Sequence, residues 1–124
     1  MLVLKTISVL FATLILFTNV SAATAPTVER KVVPLTIQEK IVKYANEFHS
    51  DPAVIRNVMN CESSFNPNAV GDNGTSFGLS QIHLPAHPDI TKEQALDEDF
   101  AIIYMAKNIT TNPRQWTCWR MLYQ

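Results

Sequence analysis

Apolar residues recur at helical intervals from residue 37 onward. Ile37, Ile41, Tyr44, Ala45 and Phe48 fall on one helical face, and Thr36-Ile37-Gln38-Glu39 forms a capping box, so a first helix is predicted from Thr36 to about His49. Asp51 reads as the N-cap of a second helix with Pro52 at its first position, where the missing N–H costs nothing. Val54, Ile55, Val58, Met59 and Glu62 continue it. The helical period then stops. All three glycines of the chain lie between Asn66 and Gly78, together with Asn66-Pro67, Gly71-Asp72 and Asn73-Gly74, which predicts a loop or short hairpin.

Past Gln81-Ile82, the run from His83 to Asp89 is a connector, and Thr91-Lys92-Glu93-Gln94 caps a short helical turn. Asp97 caps the last long helix, on which Phe100, Ile103, Tyr104, Lys107 and Asn108 mark one apolar and one polar face. Pro113 to Trp119 reads as a closing helical turn. The pattern describes a mostly α domain of the α+β kind over residues 36–124, small and helical, with one loop or short-hairpin wall lining a cleft.

The residues before 36 are of another character. Residues 1–22 look like a signal peptide: one positive charge at Lys5, an apolar run from Ile7 to Phe17 broken only by Ser8 and Thr13, and a Val20-Ser21-Ala22 cleavage site. An uncleaved N-terminal anchor is the alternative, and either reading sends the domain out of the cytoplasm, to a secreted or periplasmic, cell-envelope location. Residues 23–35 hold Pro26 and Pro34 without sustained period and are read as a linker.

Removing Lys5 with the signal takes the formal net charge from −1 to −2. Without a basic block, nucleic acid is not an expected partner, because affinity for phosphate backbones comes from clustered Lys and Arg. Two cysteines, Cys61 and Cys118, remain in an exported chain. If they pair, the closed segment spans 57 positions (118 − 61), worth roughly 4 kcal/mol in chain entropy. The other reading is two free, buried thiols.

Glu62 is the first candidate for chemistry. It sits where a helix should end, facing the negative end of the helix dipole, and burial against an aromatic would disfavour its ionised form further. A carboxyl so placed beside a polar, glycine-punctuated loop suits a general acid at a sugar-binding cleft; a solvated surface glutamate is the plain alternative. Asp72, in an Asp-Asn-Gly turn, is either a turn-former bonded to its own backbone or a second carboxylate that positions water. Trp116 and Tyr104 can stack on a sugar face or belong to the core. His83 and His87 have a spacing that a metal-binding helix can use, but Pro85 lies between them, so neither metal nor cofactor is expected.

Glu62-Ser63-Ser64-Phe65-Asn66-Pro67-Asn68-Ala69 followed by Gly78-Leu79-Ser80-Gln81 resembles the two leading motifs of the soluble lytic transglycosylase domain, in the lysozyme-like superfamily. Gly71-Asp72-Asn73-Gly74 before Phe77-Gly78-Leu79 is similar to a stretch of goose-type lysozymes. Cys61 directly before Glu62, with Trp116-Thr117-Cys118, is similar to resuscitation-promoting factor domains, where the two cysteines are bonded. The resemblance covers residues 36–124 and implies a lysozyme-like fold, a peptidoglycan glycan strand as partner, and Glu62 as the acid that cleaves its β-1,4 bond between N-acetylmuramic acid and N-acetylglucosamine. It implies that Gln81 binds sugar or orients Glu62, and it makes Ser63 and Ser80 candidates for sugar binding beside Tyr104 and Trp116.

The chain departs from the family in lacking Ala-Tyr-Asn-Ala-Gly and in carrying Ser80 where Met is usual. Two products follow from the resemblance: an anhydro sugar by transglycosylation, or a reducing end if Asp72 serves a hydrolytic muramidase. A non-catalytic peptidoglycan-binding module is the third reading. Oligomeric state is not indicated by the sequence.

Overall fold

The structure is a computed structural model that describes residues 22–24 and 31–124. Apart from Ala22, the expected signal peptide lies outside the described residues. Of the expected linker, residues 23, 24 and 31–35 are exposed and without regular secondary structure. The compact unit runs from Val33 to Gln124.

Helix α1 spans Ile37–Glu47. Its capping box forms as the sequence requires: Thr36 Oγ1 accepts from the Glu39 N–H, and the Glu39 carboxylate accepts from the Thr36 N–H at 2.8 Å. The helix stops two residues short of the expected His49, because Phe48 leaves helical geometry and His49 takes a left-handed φ of 54°. Helix α2, Pro52–Ser63, begins at the Asp51 cap, whose carboxylate accepts from the Ala53 N–H at 2.8 Å. It ends at Ser64 in the left-handed region.

The glycine-rich segment folds as a three-stranded antiparallel sheet of two-residue strands, β1 (Val70–Gly71), β2 (Ser76–Phe77) and β3 (Ile82–His83), in that order. The third strand falls at the start of what the sequence presented as a connector, since two residues are too few to show an alternating pattern. A 3-10 turn at Leu84–Ala86 leads to α3 (Lys92–Leu96), capped by the Thr91–Gln94 box, and Asp97 caps α4 (Glu98–Asn108).

The face of α4 corrects the expectation. Its buried residues are Ala101, Ile102, Met105 and Ala106, while Phe100, Ile103, Tyr104 and Asn108 are half-buried and Lys107 is exposed. Helix α4 packs against α1 on one side and α3 on another, so apolar residues occur nearly all round it and periodicity does not reveal its centre. The chain closes through a 3-10 turn at Pro113–Gln115 and helix α5, Thr117–Tyr123, which continues past the expected Trp119. Met121, Leu122 and Tyr123 stay exposed there, so no apolar stripe announces those turns.

One core joins the helices: Ile41 and Ala45 from α1, Ile55, Val58 and Met59 from α2, the inner face of α4, and Leu79, Ile109 and Trp116. A smaller cluster, Phe77, Ile82 and Ala95, seats the sheet on α3. Lys40 also ties α1 to α4, donating to Glu98 at 3.0 Å and Asp99 at 2.9 Å, and Tyr44 Oη donates to Asp99 at 2.7 Å. The result is a small, mostly α domain with a short-hairpin wall, as the sequence indicated.

Gly78 fixes how closely the sheet approaches α3. It has φ 75°, and a Cβ there would fall on the Ala95 carbonyl oxygen. Gly78→Ala should destabilise the domain by about 3 kcal/mol, from backbone strain and overpacking together, lowering the thermal midpoint by about 15 °C. An unchanged melting curve would show that the sheet sits less tightly than described.

Candidate active site

Glu62 reaches its position as the penultimate residue of α2, where the helix meets α5. The preceding residue, Cys61, is bonded to Cys118, with the two Cα atoms 5.8 Å apart. Cys118 in turn donates its backbone N–H to Glu62 Oε1 at 3.0 Å. One residue of α5 thus holds both the acid and its neighbour.

The Glu62 carboxyl is half-buried, and that burial pushes its pKa above the ordinary glutamate value of 4.5. The Cys118 N–H, by bonding the ionised form, pulls the other way; nearby Asp72 pushes up again and Arg120 pulls down, with a net upward shift. The helix C-terminus, as read from the sequence, acts in the same upward direction.

Glu62 lines a cavity of about 580 Å³, within the range of small-molecule sites. Asp72, Gln81, Tyr104 and Trp116 line it too, so the fold gathers five of the seven sequence-derived site residues from α2, the sheet, α4 and the C-terminal turn. Ser63 and Ser80 are not in this wall. Ser63 Oγ donates to the Met59 carbonyl at 3.0 Å within its own helix, and Ser80, fully buried, donates to the Ala101 carbonyl at 2.6 Å. Both hydroxyls satisfy backbone oxygens, which explains how a polar residue stands in the core at the Ser80 position.

Trp116 is 3 % exposed, and its indole N–H donates to the Ser80 carbonyl at 2.9 Å. It is a core residue with one edge in the wall, the second of the two alternatives the sequence offered. Gln81 has a φ of 44°, and its amide Nε2 donates back to the Gly78 carbonyl at 3.0 Å. Its Oε1 lies against Gly71, where any Cβ would collide with it. Asp72 (φ 49°) and Asn73 (φ 54°) form the opposite turn in the left-handed region that Asp and Asn tolerate. The Asp72 carboxylate accepts from Ser76 Oγ and lies 3.9 Å from His83 Nδ1, and the side chain is 69 % exposed.

Gln115 and Thr117, which have no site role in the sequence reading, share the wall, as does His87, which the sequence raised only as a metal ligand. Tyr104 Oη donates to Gln115 Oε1 at 2.6 Å and bonds His87 Nε2 at 3.0 Å; burial raises the pKa of its phenol. His87 and Gln115 carry no local signal, since each meets Tyr104 only through the fold.

The sequence profile of the transglycosylase SLT domain matches residues 39–116, a span that holds Glu62, Asp72, Gln81, Tyr104 and Trp116. No curated protein and no solved structure matches the chain.

The burial of Glu62 has a thermodynamic consequence. A carboxyl whose pKa is raised by folding contributes stability that is complete below the unfolded value, near 4.5, and lost as pH climbs through the folded value. Glu62→Gln keeps the acceptor for Cys118 without the charge. Its thermal midpoint should match the wild type in acid, at about pH 3.5, and exceed it at about pH 7.5. Equal midpoints at both would contradict the burial assigned to Glu62.

Proposed function

We propose that this chain, which belongs to the transglycosylase SLT family, is an exported lytic transglycosylase that cuts the β-1,4 bond between N-acetylmuramic acid and N-acetylglucosamine in peptidoglycan. Family membership supports peptidoglycan cleavage by a lysozyme-like enzyme in general. The observation that carries the finer reading is Glu62: half-buried in the wall of a sugar-sized cavity, its carboxyl raised above the ordinary value, and held at one oxygen by a backbone N–H. An acid that holds its proton to higher pH than an ordinary glutamate suits protonation of a bridging oxygen.

In this reading Glu62 gives its proton to the glycosidic oxygen as the bond to the muramyl C1 breaks and positive charge develops on the ring. The carboxylate left behind takes the proton of the muramyl 6-hydroxyl as that oxygen attacks C1, giving a 1,6-anhydro sugar and restoring the acid. Tethering of the two atoms within one sugar makes this attack competitive with water. Gln81, Tyr104 and Trp116 supply a polar and aromatic wall against which the sugars lie.

The surroundings of Asp72 favour this route over hydrolysis. Its carboxylate bonds Ser76 and the side chain is mostly exposed, an arrangement suited to holding a turn rather than a water on the far sugar face. The Cys61–Cys118 bond supports an oxidising location, in keeping with an export signal in residues 1–22.

Digestion of purified sacculi followed by mass spectrometry tests the product directly: anhydro ends are expected, and reducing ends would favour a muramidase. Glu62→Gln should lower release of soluble fragments at least about 100-fold, and unchanged turnover would defeat the assignment. Asp72→Asn should retain activity within about threefold, since it forms no bond in the reaction as written; a loss of about 100-fold would make it a catalytic carboxylate. Wild-type cleavage should decline as pH rises through the raised value of Glu62, above 4.5, as the acid loses its proton.

A further inference from the structure

One hydrogen-bond chain in the cavity wall can be followed proton by proton. It runs from Asn112 through Gln115 and Tyr104 to His87, and the last three of these line the cavity. The Gln115 amide is oriented by its own turn: Nε2 donates to the Asn112 carbonyl at 3.1 Å, so Oε1 is the atom that meets Tyr104 Oη, at 2.6 Å. An amide oxygen has no proton to give. The Tyr104 hydroxyl must therefore give its own.

That proton is the only one Tyr104 has, and burial keeps it in place by raising the phenol pKa above the ordinary value of 10.0. His87 Nε2, 3.0 Å from the same oxygen, is left to donate to it, which puts the imidazole proton on Nε2. The Tyr104 ring is held edge-on against His87 and Trp116, with centroids 5.5 Å and 6.1 Å away, which fixes where the oxygen stands. A hydroxyl free to rotate can serve a sugar as donor or as acceptor. One locked in this sense has only a lone pair to offer.

Glycan strands supply the complement, because their hydroxyl and acetamido N–H groups donate. We infer that Gln115 is a positioning residue which, by taking the Tyr104 proton, commits Tyr104 Oη to accept a hydrogen bond from a donor group of the bound glycan. The inference rests on the peptidoglycan reading above and adds to it the polarity of one wall. Gln115 acts through Tyr104, and His87 records the direction of the chain in the position of its ring proton.

Nitrogen-15 NMR of the intact protein reads that proton without substrate. At about pH 8, where an ordinary imidazole is neutral, His87 should be the Nε2–H tautomer, its signals identified by their loss in His87→Leu; the Nδ1–H tautomer would overturn the inference. In Gln115→Met the Tyr104 proton is free to turn to His87 Nε2, so the tautomer should move to Nδ1–H. Glycan strands stripped of peptide by an amidase should bind Glu62→Gln carrying Gln115→Met about fivefold more weakly than Glu62→Gln alone, as the loss of one neutral hydrogen bond allows. A tautomer or an affinity indifferent to Gln115→Met would also overturn the inference, and the first measurement decides even if that variant does not fold. Failure of Glu62→Gln to bind the stripped strands would defeat the glycan reading and this inference with it. Binding without fragment release by the wild type would count against cleavage alone.

Discussion

The bond between the ends of α2 and α5 is the constraint on which the site depends. Cys61 and Cys118 are joined, and the residues that flank and contain that bridge are the ones that matter: Glu62 follows Cys61, and the N–H of Cys118 reaches the Glu62 carboxyl. The covalent link and the hydrogen bond share one residue, so α5 cannot retreat without taking away the donor. Geometry of this kind needs little from side-chain packing. That suits a small domain in which surface is large relative to core.

The remaining wall is organised around the turn at residues 78–81. Gly78 lets the sheet approach α3, Ser80 bonds α4, the Trp116 indole bonds the Ser80 carbonyl, and Gln81 folds its amide over Gly78 and Gly71. The Ser80 and Trp116 bonds each join a different element to this short segment, and the Gln81 bond closes the segment on itself. Positive φ at Ser64, Phe65, Asp72, Asn73 and Gln81 concentrates backbone strain in and around this wall, as is common at sites that must aim side chains into a cleft.

Much of this was legible before any coordinates, and the reason is locality. Thr36, Asp51, Thr91 and Asp97 cap their helices because each cap is decided by residues two or three positions away. Glu62 stood out because a carboxyl at a helix end beside a glycine-rich loop is a local arrangement, and the motif around it resembled a family whose profile the chain does match. The inner face of α4 was hidden because that helix packs on two sides, and Phe100, Ile103 and Lys107 carried the periodic signal in place of Ala101, Ile102 and Met105. Ser63 and Ser80 share the motif with Glu62 yet point to backbone carbonyls. His87 and Gln115 reach the wall through Tyr104, across sequence separations of 17 and 11, where no pattern rule operates.

The account rests on one proton remaining on one carboxyl. Selective carbon-13 labelling of glutamate, with the Glu62 signal identified by its loss in Glu62→Gln, allows the side-chain carboxyl to be titrated by NMR in the intact, oxidised protein. The account predicts a midpoint clearly above 4.5. A midpoint at or below that value would show a carboxylate already ionised where an acid is required, and would contradict the central claim.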